Sequence, residues 1–313
     1  MKAIVYKKFG DSDVLQLVEQ PIPTLKADQV LVRVKAFSIN PMDWKIRKGE
    51  MTLMSGSAFP KHTGTDFSGT VEATGSSVNG LKKGDKVFGV VKNMMKEGAS
   101  AEYVAVTSSL VWKKPENISY PQAASIPVVG TAAVTALEKM GDITSQKILI
   151  IGASGGFGMF LLQLLKQRGA KVTAVTSSQG AEYAKKWGAH SVIDYTKTNV
   201  LSNNALYDTV IDLSGKIGYD KAKQIMKAKA LYLNPTPKPI EIPMSLLKNL
   251  LRSKKHRVIL SNPSTKYTDV LLGAVKNGLL IEVNKVFQFD QFREAYQYAE
   301  HGGYSGKVVI QMT

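Results

Sequence analysis

Short alternating runs of apolar and polar residues fill the first third of the chain: AIVYKKF (3–9), VLVRVKAF (30–37), GTVEATG (69–75), DKVFGVV (85–91) and AEYVAV (101–106), with Gly, Pro, Asn and Asp between them. A period of two broken by turn residues predicts an antiparallel β domain over residues 1 to about 120. From 121 onward the pattern becomes apolar strands alternating with helical periodicity. Strands are predicted at KILIIG (147–152), KVTAVTS (171–177), SVIDYT (191–196), TVIDLSG (209–215), ALYLNP (230–235) and RVILSN (257–262), and helices at about 122–140, 155–168, 180–187 and 219–227. This alternation predicts an α/β fold with a doubly wound parallel sheet of the Rossmann kind over 121–262. Helices near 266–277 and 290–299 follow, then a closing strand over 307–311. That strand has no partner left in the parallel sheet, so it is expected to rejoin the first domain, which 263–313 would complete.

The composition is that of an ordinary globular protein, with 44% hydrophobic and 21% charged residues in 313. No apolar run reaches the roughly 18 residues that span a bilayer. Met1 leads directly into Ala3-Ile4-Val5-Tyr6, so a cytoplasmic protein without a leader is expected. Zero cysteines exclude disulfides, thiol nucleophiles and Cys-ligated zinc. The four histidines, His62, His190, His256 and His301, have no metal-ligand spacing, and no metal site is expected. A net charge of +16 is compatible with nucleic acid, an anionic membrane surface or a phosphorylated cofactor. Its densest cluster, KNLLRSKKHR (248–257), has no interleaved aromatics to stack bases. It reads as solvated basic surface with local use in binding anions.

The strongest chemical signal is ILIIGASGGFG (148–158), an apolar strand feeding a glycine-rich turn and then the amphipathic run MFLLQLLKQRGA. A strand, a turn of small residues and a helix N-terminus together cradle a pyrophosphate, because their N–H groups face the anion. The spacing is read either as Ala153, Gly156 and Gly158 or as Gly152, Gly155 and Gly158. A valine at Gly156 is expected to block the pyrophosphate's approach. The next strand ends Thr176-Ser177-Ser178, with no carboxylate to bind the ribose of NAD. Hydroxyls there leave room for a 2′-phosphate, so NADPH is expected ahead of NADH, and Tyr195 is a further candidate contact with that phosphate. Asn234, Pro235 and Thr236 end the fifth strand at the carboxyl edge of the sheet, and are candidates to meet the nicotinamide carboxamide.

Several ordered motifs flank the cradle: NPMDWKIR (40–47), GTDFSG (64–69), GDKVFG (84–89), AEY (101–103), GA (188–189), VIDY (192–195) and GKVVI (306–310). Together they resemble the medium-chain dehydrogenase/reductase superfamily, in its zinc-independent quinone oxidoreductase branch. The C-terminal third is similar to the plant quinone oxidoreductase and alkenal reductase group, including chloroplast-envelope homologues. The resemblance spans essentially the whole chain. It implies a GroES-like catalytic domain, a Rossmann domain, and NADPH-dependent reduction of a quinone or an α,β-unsaturated carbonyl. Zinc members place Cys, His and Glu in the segments matching Asn40 and Gly64–Asp66, where this chain has Asn, Thr and Asp.

Without a metal, an enolate formed by hydride addition must be met by a cation or by hydrogen-bond donors. Lys45, within the family's NPxDxK pattern, is the candidate for that role or for supplying the proton. It is expected in the loop after a strand, with Asn40 and Asp43 placed to orient it or the cofactor amide. Pro41 favours an extended Asn40 with its side chain outward. Thr131 matches a threonine that faces the nicotinamide end in the family. The candidate cofactor contacts are therefore Thr131, Ser154, Gly155, Gly156, Phe157, Ser177, Tyr195, Leu213, Asn234, Pro235 and Lys307. Many NADPH-using members carry a lysine where this chain has Gly180; Lys185 and Lys186 are candidates to replace it. The strand 257–262 lies where the family's sheets pair in a homodimer. Two other readings remain: an NADP-dependent alcohol dehydrogenase, opposed by the missing zinc ligands, and a weakly catalytic family member binding RNA or a membrane surface.

Overall fold

The structure, a computed structural model, describes residues 1–93, 97–202, 205–237, 241–260 and 263–312. The strands in chain order are β1 (Lys2–Tyr6), β2 (Leu15–Glu19), β3 (Gln29–Ser38), β4 (Lys61–His62), β5 (Asp66–Thr74), β6 (Lys86–Val90), β7 (Tyr103–Thr107) and β8 (Val111–Lys113). There follow β9 (Lys147–Ile151), β10 (Lys171–Thr176), β11 (Ser191–Asp194), β12 (Tyr207–Asp212), β13 (Met226–Asn234), β14 (Lys255–Val258), β15 (Val283–Gln288) and β16 (Lys307–Gln311).

The six strands β9 to β14 form a wholly parallel sheet in the order β11-β10-β9-β12-β13-β14. Numbered within the sheet this is 3-2-1-4-5-6, the doubly wound order, whose reversal between β9 and β12 opens a crevice at the carboxyl edge. Ile148 to Ile151 of β9 are buried throughout, as a central strand covered by helices on both faces requires. The helix Gly156–Gln167 buries one apolar side of the sheet, while Tyr219, Ala222, Ile225 and Tyr232 build the core on the other.

The remaining strands form a three-stranded sheet, β2-β1-β4, and a seven-stranded one, β15-β16-β3-β5-β6-β8, in which β7 also pairs β3. The closing strand β16 is inside this second sheet, antiparallel to β3 and parallel to β15, as its lack of a partner elsewhere predicted. Val308, Val309 and Ile310 are each 0% exposed. The helix Thr265–Lys276 packs instead on the helix Pro127–Met140, where Leu271 stands so close to Gly130 that a Cβ there would be 2.9 Å from it. The return to the first sheet therefore begins after that helix, with β15.

Several elements differ from the periodicity. The helix expected at 122–140 is two, Tyr120–Ala124 and Pro127–Met140, because Pro127 has no N–H to continue the first and is suited to the first turn of the second. The helix expected at 219–227 ends at Ala222, and β13 begins at Met226, which packs under the sheet. The strands β2 and β15 were not read from the pattern: both are short and mostly exposed, so they lack a clean apolar face. The strand expected at 257–262 is β14, the edge of the parallel sheet, while 261–262 lie outside the described residues. Among the described residues no helix is long and apolar enough to cross a membrane.

Because β16 sits between β15 and β3, its core residues carry the union of the two chain ends. Ile310→Ala is expected to lower the unfolding free energy by about 2–4 kcal/mol in urea titration. Unchanged stability would show that the closing strand does not belong to that core.

Candidate functional site

The turn after β9 is shaped by three different glycine requirements. Gly152 takes φ +76°, where only a glycine is unstrained, and its N–H and that of Ala153 both donate to Val175 O of β10. A Cβ at Gly158 would lie 2.1 Å from Ala153 O, so this glycine lets the helix lie against the strand it leaves. A Cβ at Gly155 would meet nothing nearer than Gly152 O at 3.7 Å. Protein packing does not demand a glycine there, and the open space lies at the N-terminus of a 12-residue helix that no side chain caps. A backbone that must stay bare where a helix dipole points outward fits a bound pyrophosphate. Of the two spacings, Gly152, Gly155 and Gly158 is therefore the one that corresponds to the structural roles.

Gly156 serves another purpose. A Cβ there would land 2.5 Å from Lys307 Cδ, so valine at 156 would collide with this side chain rather than simply block a phosphate. Lys307 meets the cradle with its aliphatic stem. Its ammonium points away, donating to Ile39 O at 3.0 Å and Asn40 Oδ1 at 2.7 Å, and the residue is only 4% exposed. Lys307 therefore borders the cradle by its stem and the Asn40 loop by its charge. The cradle is also stitched to the approach of β16 by a bridge between Gly155 and Gly306, with Gly306 N donating to Ser154 O at 3.0 Å.

Asn40 is extended, at φ −122° and ψ 152°, as Pro41 demands. Its side chain points inward, not outward, and is 1% exposed because both ends of its amide are used. Oδ1 accepts from Lys307, and Nδ2 donates to Asp66 Oδ2 at 2.9 Å. Asp66 also accepts from Ser38 Oγ and, through Oδ1, from Val128 N at 3.0 Å. That last bond satisfies a first-turn N–H of the helix Pro127–Met140 with a carboxylate from the other sheet. Asp43 accepts from Asn40 N at 2.7 Å and from Thr65 Oγ1 at 2.8 Å.

These groups form one buried network at the junction of the sheets. Desolvation pushes the Asp43 carboxyl up to about 7 and the Asp66 carboxyl up to about 6, against lowering by hydrogen bonds and by Lys307. Burial pulls Lys307 down from the usual lysine range, and the two carboxylates oppose this. Ser38, Thr65 and Asp66 were not among the expected site residues. The signal available for two of them was their position in GTDFSG, where zinc relatives carry ligands.

Lys45 is not on a loop. It lies in the last turn of the helix Pro41–Arg47, half-buried, with no side-chain partner among the described residues. Asp43, Ile46 and Arg47 share the buried side of that helix, three and four residues apart, and Lys45 falls outside this set. Asp43 and Asn40 therefore hold the start of the helix rather than the lysine directly. Arg47 is buried against Glu300, with its Nε donating to Gly10 O at 3.1 Å, so the helix is pinned at its far end too.

The other expected contacts gather at the carboxyl edge of the parallel sheet. Ser177 follows β10, Tyr195 follows β11, Leu213 follows β12, and Asn234 ends β13 with Pro235 beyond it. Phe157 is half-buried in the first turn after the cradle. Asn234 Oδ1 accepts from Thr236 N at 2.9 Å, which fixes this loop. Beside Leu213, Asp212 gathers the N–H groups of Ser214, Gly215, Ile217 and Gly218 and holds the loop at the crevice. Thr131 is fully buried in the helix Pro127–Met140 and its hydroxyl donates to Pro127 O at 2.6 Å. Lys186 pairs with Glu282 at 2.9 Å.

The basic cluster is largely spent within the protein: Lys254, Lys255 and Arg257 donate to the carbonyls of Lys223, Asn249 and Lys139, and Arg252 lies over the Tyr219 ring. Among the described residues no group of three or more His, Asp or Glu is placed to hold a metal.

Family models match residues 26–116 as an alcohol dehydrogenase GroES-like domain and residues 187–310 as a zinc-binding dehydrogenase. A 2-methylene-furan-3-one reductase of Solanum lycopersicum is 35% identical, covering 99% of this chain and 79% of its own length. An NADPH-dependent alkenal/one oxidoreductase of Arabidopsis thaliana, a chloroplast protein, is 33% identical with the same coverage. The solved quinone oxidoreductase of Coxiella burnetii superposes with a TM-score of 0.90 at 31% identity, covering 100% of this chain and 99% of its own. The two-sheet architecture, the glycine-rich cradle and these relatives agree, and the chain belongs to the medium-chain dehydrogenase/reductase superfamily, beside its quinone and alkenal/one oxidoreductases.

Proposed function

We propose that this protein is an NADPH-dependent reductase that adds hydride, without a metal ion, to a quinone or to the conjugated carbon of an enal or enone. The observation that carries this reading is the buried chain Lys307–Asn40–Asp66, which fills the segments where zinc relatives place ligands and borders the cradle through the Lys307 stem. The names of the relatives support the acceptor class. When bound, the nicotinamide supplies the hydride.

The protein's own task is to hold the reactants and to meet charge that develops on the acceptor oxygen. The cradle N–H groups at the N-terminus of Gly156–Gln167 and the bare Gly155 hold the pyrophosphate. The loops after β12 and β13, fixed by Asp212 and Asn234, border the nicotinamide end of the crevice. The network of Asn40, Asp43, Asp66 and Lys307 fixes the start of the helix that presents Lys45. Lys45 is the donor to the acceptor oxygen, because its ammonium has no described partner inside the protein. Hydrogen-bond donation to an enolate oxygen stabilises the product of hydride addition, and transfer of the same proton completes the reduction.

Gly155→Val should fold normally but bind NADP⁺ about tenfold or more weakly, since its side chain would occupy the pyrophosphate's approach. Unaltered affinity in a calorimetric titration would show that the cradle is misassigned. Lys45→Met should lower turnover by about 100-fold with NADP⁺ affinity kept. Normal turnover with a naphthoquinone, an alkenal and a vinyl ketone would remove Lys45 from the reaction.

Asp43 and Asp66 bind protons more tightly in the folded chain than in the unfolded one, where an aspartate titrates near 3.8. Their contribution to stability is fully present below about pH 4 and is lost as pH rises through about 6 and then about 7. Asp43→Asn should therefore flatten the fall of thermal stability between about pH 4 and about pH 7. An identical pH profile in the variant would contradict the assigned protonation.

A further inference from the structure

We propose that the amino edge of the parallel sheet holds a second anion site, which takes a small polyphosphate-bearing molecule at the end of the sheet opposite the cofactor crevice. The site is independent of the cradle and of the proposed reaction.

The strands β12, β13 and β14 begin beside one another, and a cavity of about 480 Å³ opens there against the end of the helix Pro127–Met140. That volume is within the roughly 300–1,000 Å³ of small-molecule sites. Lys139, Lys227, Lys229, Lys255 and Arg257 line it, and Asp208 is the one acidic residue among the described lining residues.

The local backbone brings these cations together. Met226 pairs with Tyr207 but Leu231 with Thr209, so Lys227 to Ala230 bulge out of the ladder. A bulge re-aims side chains, and this one brings Lys227 and Lys229 to the cavity instead of continuing the pairing. Lys255 and Arg257 are two residues apart on β14 and so share one face of the sheet, while His256 between them is buried against Tyr219 and Tyr232 on the other. Arg257 is also fixed to the helix, because its Nη1 donates to Lys139 O at 2.7 Å.

Few of these charges are cancelled inside the protein. Lys227 pairs with Asp208 at 2.8 Å, and Asp208 also accepts from Lys147 N at 2.9 Å. Lys255 donates to Asn249 O and Arg257 to Lys139 O, but a carbonyl is neutral: it positions a cation and leaves its charge standing. Lys139 and Lys229 form no ion pair among the described residues, and Glu138 beside Lys139 is taken by Lys266 at 2.7 Å.

Uncompensated cations around one cavity raise a positive potential that a single carboxylate ligand would leave mostly unmatched. An anion of several charges matches it, and the planar guanidinium of Arg257 beside the compact lysine ammoniums suits phosphate oxygens. No described lining residue is aromatic, so nothing there stacks a base, and the phosphates are the part that is read.

The test is calorimetric titration of the full chain with inorganic tripolyphosphate, with NADP⁺ in excess so that the cradle does not compete. One equivalent should bind, more weakly as salt is added. Replacing Lys139 and Lys229 together by alanine should weaken binding by about tenfold or more with the melting temperature unchanged. Asp208→Asn, which keeps an acceptor for Lys147 N and removes the lining carboxylate, should strengthen binding by about threefold. Lys7→Ala with Lys8→Ala, an exposed pair beyond β1, should leave the affinity as it is. Equal losses from the two lysine pairs would show diffuse attraction to a chain of net charge +16 and overturn the proposal, as would no binding at all. Without NADP⁺, binding lost in Gly155→Val but kept in the Lys139 and Lys229 variant would place the anion in the cradle and overturn it too.

Discussion

A lysine ammonium that is almost wholly removed from water holds the rest of the site in place. Taking such a charge out of solvent costs several kcal/mol unless hydrogen bonds and opposite charge replace its hydration. Lys307 has both, through Ile39 O and Asn40 Oδ1 and through the nearby carboxyls of Asp66 and Asp43. Lys307 and the partners that hold it come from three distant segments of the chain. The lysine begins the closing strand, the asparagine opens the helix that carries Lys45, and Asp66 begins β5 while satisfying the first turn of a helix packed on the parallel sheet. One buried cation thus ties the C-terminal strand, the first sheet and the nucleotide-side helices to one geometry.

The same side chain joins the cradle to the Asn40 network. Its stem occupies the space that a Cβ at Gly156 would need, and the adjoining Gly306 is bridged to Gly155. Movement of the closing strand would therefore move the floor of the cradle and the Asn40 amide together. Rigid support of this kind is what a transfer over about 3–3.5 Å between carbon atoms requires. The support comes from a buried network at the junction of the two sheets.

At the far end of the crevice the physical balance is different. The carboxylate of Asp194 is half-exposed, and it is stabilised by the Ser178 and Thr196 hydroxyls more than by Lys197. Gly180 connects this end to the cradle, because a side chain there would collide with Ser154.

The doubly wound parallel sheet, the glycine-rich turn and the return of the last strand were legible in the sequence. They depend on local quantities: a continuous apolar run reads as a strand buried on both faces, and a glycine between strand and helix reads as a backbone approach. Shorter features failed where local patterns are ambiguous. Pro127 divides one apparent helix, and β2 and β15 have too little buried surface to show a period. The sequence by itself also supplied the residue types of the site, including Asn40, Asp43 and Lys307. Only the tertiary structure decided that Asn40 turns inward, that Lys45 rides a helix away from Asp43, and that Lys307 gives its stem to the cradle and its charge to Asn40. The reason is that a side chain's direction is set by which partners can replace its water, and those partners lie up to 268 positions away along the chain.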